Sequence, residues 1–111
     1  MEYHTIIAEE KNAVGYLTLN RPERYNSLTI QMSEEIVDVI TRWKDDDQIK
    51  IIVIKASGKA FCTGQDISPE LFSQSPIDLG DVLEKYTDPI IELIVHTPKI
   101  FICAINGIAA G

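Results

Sequence analysis

Apolar and polar positions change period several times along this chain, and each change marks an element. Residues 3–9, Tyr-His-Thr-Ile-Ile-Ala-Glu, read as a strand, and residues 13–20, Ala-Val-Gly-Tyr-Leu-Thr-Leu-Asn, as a second. In the second, Val14, Tyr16 and Thr18 share one face and Ala13, Leu17 and Leu19 the other, a partial alternation. The polar Glu10-Lys11-Asn12 between them predicts a turn, hence an antiparallel hairpin. Ile36, Val37, Ile40 and Trp43 then recur at helical spacing. They predict a helix over 30–45 with Thr29 as its N-cap. Glu34, Glu35 and Asp38 lie off that stripe and are expected in solvent. Asp45-Asp46-Asp47 is assigned to the following turn, because acidic side chains oppose the dipole at a helix C-terminus.

Residues 49–55 are near-continuously apolar and β-branched. That pattern predicts a strand of a parallel sheet buried on both faces by helices, reached from 13–20 by a right-handed crossover. A loop is expected over 56–66, a short helix over Ser68–Phe72 with Ser68 as cap, and a polar stretch over 73–78. Leu79, Val82, Leu83, Tyr86, Ile90, Leu93 and Ile94 predict a helix over 79–96. Pro89 predicts either a kink there or a restart capped by Asp88. Thr97-Pro98 stops the helix. Residues 99–105 read as another buried strand, and the small residues Asn106 to Gly111 as a turn away from it, of the kind that leads from strand to helix. The whole of 1–111 reads as one α/β domain's N-terminal part, incomplete at its C-terminus.

Composition narrows the function classes. Ten Lys and Arg against 17 Asp and Glu leave a net charge of −7, which argues against sequence-independent binding of nucleic acid or anionic lipid. A small anionic ligand needs only a few local cations. Met1-Glu2-Tyr3-His4 has neither the basic nor the apolar region of a signal peptide, and no apolar run nears the length of a membrane span. A cytoplasmic or other reducing compartment is therefore expected. Cys62 and Cys103 sit in apolar surroundings and are read as buried thiols rather than a disulfide. With His4 and His96 they make no zinc spacing, and no metal is expected.

The chemistry centres on Lys59-Ala60-Phe61-Cys62-Thr63-Gly64-Gln65-Asp66-Ile67-Ser68, which follows the apolar strand. Five residues separate Gly58 from Gly64, and Gln65 stands where a phosphate-loop lysine would be, so no Walker A motif is present. Neither a dinucleotide-binding glycine fingerprint nor a Gly-x-Ser-x-Gly elbow occurs. Two backbone turns at the ends of adjacent parallel strands, one near Gln65 and one at or just after Gly111, could aim two N–H groups at one developing oxyanion. The alternative is a purely structural pair of tight turns. In the loop 20–28, Arg21 and Arg24 are either solvated charges or, for Arg24, a contact to an anionic ligand.

Four motifs in order resemble the crotonase (enoyl-CoA hydratase and isomerase) superfamily. They are Leu19-Asn20-Arg21-Pro22 with Asn26-Ser27-Leu28; Ile52-Val53-Ile54-Lys55 with Gly58; Ala60 to Ile67; and Pro98-Lys99 with Ala104 to Gly111. The Gly64-Gln65-Asp66 variant, with Asp78-Leu79-Gly80 and Tyr86 to Pro89, is most similar to ring-epoxyphenylacetyl-CoA isomerases. The resemblance implies a spiral of ββα units that binds an acyl-CoA in a bent conformation. It gives the Gln65 N–H as the first oxyanion donor and has Thr63, Gly64, Gln65, Asp66 and Ile67 line the thioester and pantetheine. Arg24 and Tyr25 fall near the CoA nucleotide, with Lys59 a further candidate cation or a solvated turn lysine. Asp66 is expected to steady its loop by accepting neighbouring N–H groups. The second donor follows the position of Gly111, and the acids that move protons lie further on. Glu70, Asp78 and Glu84 are weak substitutes. Coenzyme A enters as part of the substrate, with no tightly bound cofactor, and the full-length form is expected to be a trimer-based homo-oligomer.

The main reading is thus the acyl-CoA-binding portion of an enoyl-CoA hydratase or isomerase. A truncated, non-catalytic CoA-binding or oligomer-associating fragment is the alternative. A doubly wound α/β domain unrelated to CoA is the third reading. An under-covered strand at 100–105 also predicts poor solubility for the isolated chain.

Overall fold

The computed structural model of the chain describes residues 2–67 and 79–111. The expected short helix at Ser68–Phe72, the polar stretch 73–78 and the candidate acids Glu70 and Asp78 lie outside the described residues.

Strands β1 (Ile6–Lys11) and β2 (Val14–Leu19) form the predicted antiparallel hairpin, paired from Ile6 with Leu19 to Lys11 with Val14. The turn is Asn12-Ala13 rather than Glu10 to Asn12. Both residues have positive φ, 52° and 67°, and a two-residue turn of that hand matches the twist of the strands it joins. Helix α1 (Ile30–Lys44) starts as expected, with the Thr29 hydroxyl oxygen accepting from Met32 N–H at 3.1 Å. It buries Met32, Ile36, Val39, Ile40 and Trp43, a stripe one residue wider than the sequence suggested, with Val37 only half-buried at its margin.

Glu35 corrects the expectation of a solvated helix charge. It is 3% exposed. Its Oε1 accepts from His4 N–H at 3.0 Å, Thr5 N–H at 2.9 Å and the Thr5 hydroxyl at 2.8 Å, and its Oε2 from the Gln31 amide at 3.1 Å. Four donors replace the water that a carboxylate loses on burial. Asp38 likewise accepts from the Tyr3 hydroxyl at 2.6 Å. Both acids therefore anchor the segment that leads into β1.

Strand β3 (Ile51–Ala56) pairs parallel with β2, and β5 (Ile100–Cys103) parallel with β3, giving a sheet ordered β1-β2-β3-β5. Between them lie β4 (Ala60–Cys62) and a helical segment in three parts. These are α2 (Leu79–Val82), a π turn (Leu83–Thr87) and α3 (Asp88–His96). Helix α3 begins at Asp88 with Pro89 in its first turn, as a restart there implies, but Thr87 and Asp88 both hold helical angles, so no non-helical cap breaks the chain ahead of the proline. The chain widens instead, and Asp88 N–H bonds the Leu83 carbonyl five residues back. That spacing makes room for a residue with no N–H and a bulky ring. The Lys99 ammonium reaches the Trp43 carbonyl and, at 2.6 Å, the Asp46 carbonyl, a cation on the exposed end of α1.

Ile6, Leu17, Leu19 and Ile52 meet the α1 stripe and Ile90 in one core, with Ile94 and Phe101 packed against it. Gly15 permits a close contact in this core: a Cβ there would stand 2.7 Å from the Trp43 ring. Residues 49–55 are not buried on both faces as expected. Ile51 and Val53 are half-buried, because α1 and α3 both lie on the Ile52 side. Two further corrections fall in stretches read as loop. Ala60–Cys62 and Ile108–Ala109 (β6) pair parallel as a second, two-stranded sheet. Runs of two and three residues carry no readable period. The cysteines are free, but Cys62 is half-buried and Cys103 exposed rather than both buried. No described helix is long and apolar enough to cross a membrane.

Candidate active site

The second sheet brings two glycine turns together. β4 leaves Cys62 for Thr63-Gly64-Gln65, and β6 leaves Ala109 for Ala110-Gly111, with Ala110 N–H bonded to the Cys62 carbonyl at 3.0 Å. Gly64 and Gly111 have φ of 98° and 103°, where side chains are strained. A Cβ on Gly111 would lie 2.6 Å from the Gly64 Cα, and one on Gly64 would lie 2.9 Å from the Gly111 Cα. Only two residues without side chains pack at this distance.

The loop 20–28 fixes the Gly64 turn from the other side. Leu28 and Gln65 form a single parallel bridge, with Leu28 N–H bonded to the Gly64 carbonyl and Asp66 N–H to the Leu28 carbonyl, each at 2.8 Å. In such a bridge the middle residue's own N–H and C=O face away from its partner, so the Gln65 N–H points away from Leu28. The Gln65 side chain is engaged in holding the turn. Its amide donates to the Leu28 carbonyl at 2.9 Å, and its Oε1 accepts from the Thr87 hydroxyl at 3.4 Å.

Arg21 adds an ion pair. Its guanidinium meets Asp66 Oδ2 at 3.2 Å, with the two side chains only 15% and 11% exposed, and also donates to the Ser27 carbonyl. Asn26 completes the clamp. It is fully buried in the left-handed region at φ 55°, accepts from Arg21 N–H at 2.7 Å, and donates to the Ser57 and Ala60 carbonyls at 2.8 and 3.0 Å. The amide oxygen and the NH2 group are thus all engaged by backbone partners, as burial requires.

The candidate residues separate into two groups. Thr63, Gly64, Gln65 and Asp66 are half-buried and held together by this clamp, with the Thr63 hydroxyl 3.4 Å from the Tyr25 carbonyl. Arg24, Tyr25, Lys59 and Ile67 are exposed around it, Ile67 at 68% and Tyr25 at 58%. Glu84 is exposed on the π turn. Sequence reasoning gave Arg24 the weight among the loop cations, whereas Arg21 is the one bound to Asp66. It assigned no task to Asn26 or Thr87. For Asn26 a signal existed: asparagine is among the few residues that adopt positive φ readily. For Thr87 no local pattern points 22 residues back to Gln65.

A model of the enoyl-CoA hydratase/isomerase family matches residues 9–111. The chain belongs to the enoyl-CoA hydratase/isomerase family. A curated relative in Escherichia coli K12, a 1,2-epoxyphenylacetyl-CoA isomerase, is 34% identical over 108 residues, covering 96% of this chain and 41% of the relative. Among solved structures, an enoyl-CoA hydratase of Mycobacterium avium subsp. paratuberculosis superposes with a TM-score of 0.85 at 24% identity, over 100% of this chain and 42% of that one. An enoyl-CoA hydratase of Bacillus anthracis gives 0.83 at 25% identity, over 96% and 41%. The fold is that of this family, and the chain spans about two-fifths of the length of the relatives it matches.

Proposed function

We propose that this chain forms the acyl-CoA thioester-binding portion of an enoyl-CoA hydratase or isomerase, with the Gln65 N–H as one donor of an oxyanion hole. The observation that carries the reading is the packing of the Gly64 turn on the Gly111 turn, with the Gln65 N–H directed away from the bridge that holds it. A thioester carbonyl gains negative charge when its α-carbon loses a proton or its β-carbon gains a nucleophile. A donor already fixed in place stabilises that charge without reorganising, and this is what separates transition-state from ground-state binding. The backbone is a suitable donor because Asn26, the Arg21–Asp66 pair and the Leu28 bridge hold the turn from three directions.

Arg24 and Tyr25, exposed beside the Thr63 turn, are assigned to the nucleotide end of coenzyme A, where a cation meets phosphate and a ring meets the adenine. Coenzyme A arrives with the substrate. The 1,2-epoxyphenylacetyl-CoA isomerase among the relatives supports an acyl-CoA as the substrate class.

The test is amide NMR of the chain during titration with a saturated, non-reactive acyl-CoA thioester and, separately, with free coenzyme A. The Gln65 amide proton should shift downfield only with a ligand that carries the carbonyl. Arg24→Ala should weaken both ligands several-fold, more at low than at high salt. A Gln65 amide that stays unmoved at saturating acyl-CoA overturns the assignment.

A further inference from the structure

The Gln65 side chain has two anchors, and their chemistry leaves one way to seat it. The Leu28 carbonyl can only accept, so the Gln65 NH2 group must face it, at 2.9 Å. Its Oε1 is thereby turned to the Thr87 hydroxyl, 3.4 Å away. Gln65 and Thr87 are both half-buried. The Thr87 contact is longer than an ordinary hydroxyl hydrogen bond. Contacts at catalytic sites are often long in this way and tighten when substrate binds.

Thr87 reaches Gln65 because the helix before it is not regular. Val82 is 3% exposed and faces the interior. In an uninterrupted α-helix a residue five positions further on lies about 140° round from it, at about 100° per residue. Thr87 would then turn away from the buried side. The π turn, closed by Asp88 N–H on the Leu83 carbonyl, holds an extra residue and sets Thr87 back by about 100°, to within about 40° of Val82. Ile90, 8% exposed, comes round to the same side. The widened turn thus delivers a hydroxyl to the Gly64 turn as well as seating Pro89.

The hydroxyl acts on a peptide plane. Gly64 C=O and Gln65 N–H belong to one trans peptide and point in opposite directions. Leu28 N–H holds the carbonyl edge at 2.8 Å. One hydrogen bond leaves the plane able to pivot about it, and the tilt sets where the Gln65 N–H aims. The Gln65 side chain, pinned between Leu28 and Thr87, supplies a second restraint.

We propose that Thr87 is a positioning residue for the Gln65 N–H, acting through the Gln65 side-chain amide, and that the π turn is what brings it there. This role rests on the reading of that N–H as an oxyanion donor. Aim matters because a hydrogen bond weakens steeply as it bends, and a donor stabilises developing charge best when it is fixed beforehand.

The test is NMR of Thr87→Val and Thr87→Ser beside the native chain, alone and with the saturated acyl-CoA thioester at full occupancy. Alone, Thr87→Val should move the Gln65 side-chain NH2 signals, and Thr87→Ser should return them toward their native positions. With ligand, the downfield shift of the Gln65 backbone amide should shrink by about half or more in Thr87→Val and recover in Thr87→Ser. Affinity for free coenzyme A, which lacks the carbonyl, should be unchanged in both. A purely structural Thr87 would lower stability without this selective loss. Gln65→Met keeps the backbone N–H and removes both side-chain bonds, so it should reduce the ligand-induced shift at position 65 on its own, and adding Thr87→Val should reduce it no further. Circular dichroism checks the fold of each variant, and Gln65→Met decides the matter if Thr87→Val does not fold. The positioning role is overturned, and the oxyanion reading left standing, if the native Gln65 amide responds to acyl-CoA and neither Thr87→Val nor Gln65→Met diminishes the response. A native Gln65 amide that acyl-CoA does not move overturns both.

Discussion

Asn26 shows how much of the candidate site rests on one buried amide. It joins the loop before α1 to the start of β4, and through Arg21 it supports the residue that holds Asp66. Truncation to alanine removes two donors from the Ser57 and Ala60 carbonyls and leaves a residue that resists positive φ. Each buried polar group left unpaired costs about 1–3 kcal/mol. Asn26→Ala is therefore expected to lower stability by about 2–4 kcal/mol in urea denaturation. Asn26→Asp should do no better, because a carboxylate offers no hydrogen to two carbonyls. Individual residues were legible in the sequence where their partners are local. Thr29 caps the helix that begins at the next residue. Glu35 was misread because its four donors come from Gln31 and from residues 4 and 5, which only the fold brings near.

At the scale of elements, the contact between β2 and α1 depends on a missing side chain. The Trp43 ring lies so close over Gly15 that any Cβ must displace it. Gly15→Ala is expected to cost about 1–3 kcal/mol, the usual penalty for overpacking a filled core. Trp43 is the chain's single tryptophan, so its fluorescence should report the displacement in the folded state without interference. The long periodic segments were legible: the hairpin, α1, β3 and β5 fall where the hydrophobic pattern put them, within a few residues. The second sheet was not, because β4 and β6 owe their existence to pairing across 48 residues from Ala60 to Ile108 rather than to local propensity. The interruption before Pro89 was legible as a position but not as a π turn, since periodicity marks where a helix is disturbed and not how the backbone relieves the strain.

For the whole molecule, the attachment of the N-terminal segment sets an alkaline limit. Burial, with the hydrogen bond to Asp38 second, raises the Tyr3 hydroxyl above its usual pKa near 10, against the opposing pull of Arg42. A group whose folded pKa lies above its unfolded value contributes stability that is complete below the unfolded pKa. That stability is lost as pH rises through the folded one. The urea midpoint should thus fall more steeply above pH 10 in the native chain than in Tyr3→Phe, and equal slopes would show that the ring is not held as described. The family was legible because its motifs are spread over the whole chain, from Leu19 to Gly111. The open side of β3 was not: the apolar run of 49–55 predicts burial on both faces, whereas Ile51 and Val53 are only half-buried.

The π turn at Leu83–Thr87 has a consequence for counting. A wider turn holds one residue more than an α-helical turn over nearly the same rise. A relative that crosses this span with a regular helix is therefore one residue shorter here. Aligning the two without a gap would move Ile90 a third of a turn out of the core. The gap belongs between Leu83 and Thr87, ahead of the proline, and its position can be chosen by which alignment keeps Ile90 and Ile94 apolar.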